Sequence, residues 1–600
     1  MSGRPSLCLA VLLLSPVALA GAEIRILDGN GSNEGLNDQT PATPLGGNPG
    51  TTVGEQRLIA AQYAASLWSA MLGNRVPISV QVEFTDLDCS GGTAVLGAAG
   101  PSLLYDDNRY PAALANERAG QDLDATREEI DARLNSRLGQ PDCAVTTWYP
   151  GLDNAAPTGT TDLSSVLLHE FAHGLGFIKS ATAFRDQAQD DSTSLLLSQL
   201  SANAYDSAVR QPLGVSWVGP AVRALKDSIL DKSDGVMRLT SGAAYPLARA
   251  HFGPAHVVVT APVVLARDAD GGLAHDACNP LAPSPGALVL AERNLHPDGG
   301  LICFVSQRAL YAQAAGAVGL VVRHGVPGSG PTAYTGDAGP DLAIPVWGIG
   351  YDDGAALEQY IAGDPAPVLV DGDGRRAGEN LAGDVLLYTP AVYSEGSSVG
   401  HWDSSASPSL LMEPVINPDL PRNLDLTPAA LEDVGWSPPK SLTIGATTLG
   451  ANFTPGRAPR FIVQVINRGP VTVTSVVLDA RDDATLALDS TALDCTGTLP
   501  CALGDLQPGA MKTVIASTRF IRGTPSQASV TFTVSGSPAP SRLDASTTVI
   551  ATRATSGCSS TGGGPGGGLA LLAVAGWLVR RRRSAARALP GLDSGGPSGP

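Results

Sequence analysis

The sequence predicts a multi-domain chain: a mixed α+β domain, interrupted by a smaller α/β module and followed by a β-sandwich. Three observations predict it. At 600 residues the chain is too long for one hydrophobic core and implies about three or four domains. The pattern changes near residue 254, from mixed helices and strands to short β runs alternating with helix. It changes again near residue 441, to Thr- and Val-rich strands separated by Gly and Pro turns. The 69 Gly and 46 Pro fit many loops and strands better than long surface helices.

In chain order, Arg4, the apolar run at 7–14 and the small-x-small sites Ala18-Leu19-Ala20 and Ala20-Gly21-Ala22 read as a signal peptide over 1–22, cut after Ala20 or Ala22. Residues 23–50 form a polar lead-in. Residues 55–72 carry apolar side chains at helical spacing and stop at Gly73. Residues 78–84 alternate as a strand, residues 124–138 read as a charged amphipathic helix, and residues 146–149 as an edge strand. A helix over about 162–175 closes the pattern. Residues 194–209 and 220–230 look helical. The boundaries that follow are 23–253 for the first part of the α+β domain, 254–371 for the insertion, 372–438 for the second part, 439–553 for the β-sandwich and 554–600 for a tail. In the second part, residues 426–434 form a short helix with Thr427 as N-cap and Pro428 first inside it; Pro438 and Pro439 mark a linker.

The net charge of −18 argues against nucleic acid, which needs clustered Lys and Arg. Of the eight cysteines, Cys8 leaves with the signal. Six fall into neighbouring pairs within one domain each: Cys89 with Cys143, Cys278 with Cys303, and Cys495 with Cys501. Local disulfides of an exported protein are expected. Cys558 is left over.

The chemistry centres on His169-Glu170-Phe171-Ala172-His173. Residues four apart share one helix face, so two imidazoles can reach one tetrahedral Zn²⁺. Glu170 can take a proton from water as general base and return it as acid. A buried helix with two satisfied histidines is the bland alternative. Gly176 offers the φ > 0 that a helix turning back beneath a metal needs. A catalytic zinc needs a third protein ligand. Lys179 stands where a compact metzincin pattern has its third His. Of the eight histidines, His251, His256, His275, His296 and His324 fall at the start of the insertion or within it, which leaves His401. Asp403, Glu395 and Glu379 are the oxygen alternatives.

The pattern His169-Glu170-x-x-His173-x-x-Gly176, a long insertion, then Gly400-His401-Trp402-Asp403 and Met412 eleven positions after His401 resembles leishmanolysin-type metzincins. The resemblance implies a metzincin-like catalytic domain. In it His401 is the third zinc ligand, and Met412 is a Met-turn residue flooring the metal rather than an ordinary core methionine. The insertion is longer than in that family, and no inhibitory propeptide cysteine stands out. Residues 287–290, Cys303-Phe304, 312–322 and Ile344-Pro345-Val346 resemble a protease-associated (PA) domain, which implies substrate binding or access control, or else a spacer. Gly557-Cys558-Ser559-Ser560, the apolar residues 569–579 and Arg580 to Arg583 resemble a Myxo-CTERM sorting tag. This implies processing near Cys558 and a lipid at the cell surface; a plain membrane anchor is the alternative. The β-sandwich resembles bacterial surface repeats that act as stalks. Asp268-Ala269-Asp270-Gly271 and Asp371-Gly372-Asp373-Gly374 hint at calcium but complete no twelve-residue loop.

The expected function is a secreted or surface-anchored zinc endopeptidase acting on proteins or peptides. The competing expectation is a surface adhesion protein that keeps the fold without turnover.

Overall fold

The computed structural model describes residues 23–553 except 91–92, 191–214, 233–234, 240–241, 255–257, 271–274, 294–302, 335–341, 362–366, 372–375, 381, 391–395, 418–419, 421–424, 439–440, 452, 483–484 and 538–542. The signal peptide, the helix expected at 194–209, the Asp371–Gly374 turn beyond Asp371, Glu395, Cys558 and the tail with its apolar segment lie wholly or mainly outside the described residues. Among the described residues no helix is long and apolar enough to cross a membrane.

The first domain is a four-stranded sheet covered by helices. Strands β1 (Ile24–Asp28), β2 (Ile78–Thr85) and β4 (Ile130–Asn135) run parallel, and β3 (Gly97–Pro101) pairs antiparallel with β4 at the edge. Strand β4 corrects the helix expected at 124–138. Ile130, Ala132 and Leu134 alternate inward while Asp131 and Arg133 do not, so the period is two, not 3.6. The local charge pattern favoured helix; pairing with β2 and β3 decides for strand.

Helix α1 (Val53–Leu72) is capped by Thr52, which accepts from Glu55 N, and stops at Gly73. It is buried on nearly all sides, including Gln62, Ser66 and Ser69, because it packs against more than the first domain. Helix α2 (Leu163–Leu175) lies against one side, and Trp68 Nε1 donates to Leu168 O at 3.1 Å. On the other side is the C-terminal domain, where Gln464 Nε2 donates to Ser66 Oγ and Gln62 Nε2 to Gly450 O. Each large apolar side chain removed from water in such a contact stabilises the fold by about 1.5–3 kcal/mol.

Helix α3 (Pro220–Ile229) leads into the inserted module. This is a closed barrel of β5 (Val236–Leu239), β6 (Ala244–Arg249), β7 (Val259–Leu265), β8 (Leu288–Glu292), β9 (Gly319–Arg323), β10 (Val346–Ile349) and β11 (Pro367–Asp371). The strands are ordered β5-β6-β10-β9-β8-β7-β11. Strands β7 to β10 pair in parallel, which needs crossovers; α4 (Val305–Ala314) supplies one and α5 (Tyr351–Ile361) follows β10. The barrel takes in β5 and β6, ahead of residue 254. These short strands pair antiparallel and carry no α/β alternation, so sequence pattern does not assign them to the module.

Helix α6 (Thr427–Val434) has Leu426, not the expected Thr427, at the N-cap position. Capping comes instead from Asp425, whose Oδ1 accepts from Thr427 N and Oγ1 at 2.8 Å each. Asp433 then accepts from Trp217 Nε1, Ala221 N and Val222 N, fixing α6 to the start of α3.

Two antiparallel four-stranded sheets follow. One is β12 (Leu442–Leu449), β13 (Arg460–Asn467), β17 (Met511–Phe520) and β15 (Leu486–Leu493). The other is β16 (Cys501–Leu506), β14 (Val473–Asp482), β18 (Gln527–Ser537) and β19 (Leu543–Thr552). They enclose one core that includes Phe461, Leu478, Phe532 and Val549. Ile462, Ile466 and Ile515 point the other way, into the core shared with α1. Past Pro438 and Pro439 the chain therefore packs against the first domain.

Disulfides join Cys89–Cys143, Cys278–Cys303 and Cys495–Cys501. Three such bridges indicate an oxidising compartment.

Candidate metal centre

Helix α2 starts where Asp162 Oδ1 accepts from Ser165 N at 2.7 Å. It ends at Gly176, whose φ of +132° lets Gly176 N and Phe177 N both reach Ala172 O. His169, Glu170 and His173 sit in its last two turns, buried. His401 returns from a loop 232 residues after His169. The loop is held by backbone bonds: Tyr388 N to His401 O at 2.8 Å and Trp402 N to Met412 O at 2.8 Å. Lys179 Nζ donates to Ser398 O at 3.1 Å, tying the chain after α2 to the same loop. Phe177, Phe184, Trp217 and Trp402 stack edge and face around it.

The three imidazoles converge. His169 Nε2 lies 3.2 Å from His401 Nε2 and 3.2 Å from His173 Nε2. Each Nδ1 faces a backbone carbonyl: His169 that of Leu411 at 2.7 Å, His173 that of Phe177 at 2.7 Å, and His401 that of Ser397 at 3.0 Å. A carbonyl can only accept, so these contacts assign the proton to Nδ1 and leave each Nε2 a lone pair. Three lone pairs aimed at one another repel unless a cation lies between them. Zinc–nitrogen bonds of about 2.0–2.1 Å in a tetrahedron place ligand nitrogens about 3.3–3.4 Å apart, close to the spacing here. Burial pushes the His169 and His173 imidazoles down to about 3 and about 4, and His401 well below its usual value. The neutral, metal-binding form is thus set by the fold. Among the described residues this is the one group of three or more His, Cys, Asp or Glu able to hold a metal.

Glu170 Oε2 is buried with no hydrogen-bond partner, and burial pushes this carboxyl up to about 8. Strand β3 passes so close that a Cβ on Gly97 would lie 2.5 Å from Glu170 Oε1. Met412 is fully buried, one residue past the carbonyl that holds His169. Of the oxygen alternatives, Glu379 is ion-paired with Lys226, and Asp403 accepts from Ser405 N at 3.0 Å. Asp268 accepts from Asn279 Nδ2 at 3.2 Å and joins no metal-sized group with Asp270 among the described residues.

Several contributors carry no sequence signal. The carbonyls of Leu411, Phe177 and Ser397 belong to any residue type. Asp425 accepts from Leu411 N and so fixes the carbonyl that holds His169; nothing in sequence separates it from other aspartates.

Residues 259–357 match the family model described as the PA domain. The module in front of the His401 loop is therefore a PA domain. No curated protein matches the chain. Solved structures similar to parts of it include a zinc aminopeptidase from Bacillus subtilis, at 20% identity and TM-score 0.18, over 28% of this chain and 37% of that one. An aminopeptidase from Aneurinibacillus sp. strain AM-1 follows at 15% identity and TM-score 0.18, over 30% and 45%. A peptidase M28 precursor from Shewanella amazonensis SB2B matches at 17% identity and TM-score 0.20, over 35% and 50%. The chain spans half or less of those proteins, and at such scores the reading of the site stands on its own geometry.

Proposed function

We propose that the chain is an exported zinc-dependent endopeptidase of metzincin-like type. His169, His173 and His401 hold the zinc, and Glu170 is the general base. The observation that carries this is the convergence of three neutral Nε2 lone pairs, two of them from the helix that also carries the unpartnered buried carboxyl of Glu170. Bound there, zinc would polarise a peptide carbonyl and bring the pKa of a water towards about 7.

The remaining work belongs to the chain. Positive charge held by the imidazoles favours the carboxylate form of Glu170 over the neutral acid that burial alone would give. The carboxylate takes a proton from the attacking water and delivers it to the departing amine, a role worth about 10²–10⁴ in rate. The Leu411, Phe177 and Ser397 carbonyls keep the three rings oriented. Met412 floors the centre as an apolar residue. The C-terminal β-sandwich and a tail processed near Cys558 would hold the enzyme at the cell surface, with the PA domain facing substrate.

The test is hydrolysis of casein and of an N-acetylated peptide by the zinc-loaded protein, with and without a chelator. Cleavage of both, lost with chelator and in Glu170→Gln while zinc stays bound, is expected. Cleavage confined to free N-termini would make the enzyme an aminopeptidase. Full activity in Glu170→Gln would remove the base assignment.

A further inference from the structure

A cavity of about 680 Å³ lies between the PA domain and the chain around the His401 loop. Its size falls within the roughly 300–1,000 Å³ typical of ligand sites. Arg249, Arg293 and His324 line it from the PA side, and Arg376, Glu379 and Asp403 from the other. The two carboxylates are committed: Glu379 to Lys226 and to Arg376 N, Asp403 to Ser405 N.

Arg293 is the group left over. Its guanidinium sits 5.1 Å from the centre of the Tyr334 ring, its Nε is buried with no hydrogen-bond partner, and among the described residues no carboxylate pairs with it. Leaving a half-buried cation without a counter-charge costs stability, so its position calls for another reason. Its neighbour His324 adds no negative charge. Val326 N donates to His324 Nδ1 at 3.1 Å, so the other ring nitrogen carries the proton and is a donor. In a chain of net charge −18, a cavity lined by three arginines and two carboxylates is a local excess of positive charge.

We propose that this cavity is a recognition site for acidic peptide segments, with Arg293 binding a carboxylate side chain and His324 donating beside it. The walls fit this. One belongs to the PA domain and the other continues into the loop that carries His401, so an acidic stretch held here would tether a polypeptide next to the metal centre. The tethering role rests on the peptidase reading; the binding itself does not.

The experiment uses the full exported chain, zinc-loaded, with Glu170→Gln so that nothing is turned over. Fluorescein-labelled peptides of alternating Glu and Ser, or Gln and Ser, are titrated by anisotropy. The Glu peptide should bind about tenfold or more tighter, the scale of one charge-assisted hydrogen bond. Arg293→Gln should abolish that preference. Arg293→Lys, which keeps charge and bulk, should retain part of it and guards against a folding defect. Equal binding of the two peptides, or an unchanged preference in Arg293→Gln, overturns the proposal. Displacement of the Glu peptide by equimolar inorganic phosphate or free glutamate overturns the peptide as ligand in favour of a small anion. No casein hydrolysis by the zinc-loaded protein with Glu170 intact, with the peptide preference present, would instead count against the peptidase reading alone.

Discussion

His169 Nδ1 lies 2.7 Å from the carbonyl oxygen of Leu411, 242 residues further along the chain. That contact fixes the ring's tautomer, and Asp425 fixes the contact in turn by accepting from Leu411 N. Asp425→Asn should lower zinc affinity by about 10–100-fold, the usual cost of disturbing a ligand's outer support. Competition with a chromogenic chelator measures it; unchanged affinity would show that the loop holds without the carboxylate.

The same residue has a pH signature. Burial raises the Asp425 carboxyl from 3.8 to about 6. A raised folded-state value means the folded protein takes up this proton before the unfolded chain does. The contribution is fully present below about pH 4 and is lost as pH rises through about 6. Wild type minus Asp425→Asn, from urea unfolding at several pH values, should show this step; a flat difference between pH 4 and 7 would refute it.

His401→Ala should lower zinc affinity by more than the roughly 10–100-fold of an outer-support change, because a ligand itself is gone. Far-UV circular dichroism should stay unchanged. Stoichiometric zinc after dialysis of the variant would mean that another group completes the cage.

Gly97→Ala places a methyl only 2.5 Å from Glu170 Oε1, so the carboxyl must shift. We expect kcat to fall on the order of 10²-fold, the lower end of what a positioned base contributes, with zinc content unchanged. Equal losses of zinc and rate would place the damage in the fold rather than at the base.

Cys89 and Cys143 are 54 residues apart, Cys495 and Cys501 only six. Loop entropy then assigns about 4 kcal/mol to the first bridge and about 2 kcal/mol to the second. Paired Cys→Ser variants compared by chemical denaturation should fall in that order.

How much of this was legible in sequence depends on where each signal resides. The helix bearing His169 and His173 announces itself because four-residue spacing is local. His401 was reachable only by exclusion and by resemblance, since its partners are made by the returning chain. Ile130–Asn135 is ambiguous in sequence because Asp131 and Arg133 also suit a charged helix; the two neighbouring strands that settle the matter are invisible locally. The PA domain's parallel strands were visible as apolar runs, while β5 and β6 join the barrel only by antiparallel pairing. The carbonyls behind the imidazoles leave no trace in residue identity.

The 232-residue separation of His169 from His401 also sets an order of events. A polypeptide emerging N-terminus first presents two imidazoles and a carboxylate long before the third ring exists. Only after the whole PA barrel has been made does residue 401 become available. On the reading of the site proposed above, the three-imidazole cage would thus close only at that point.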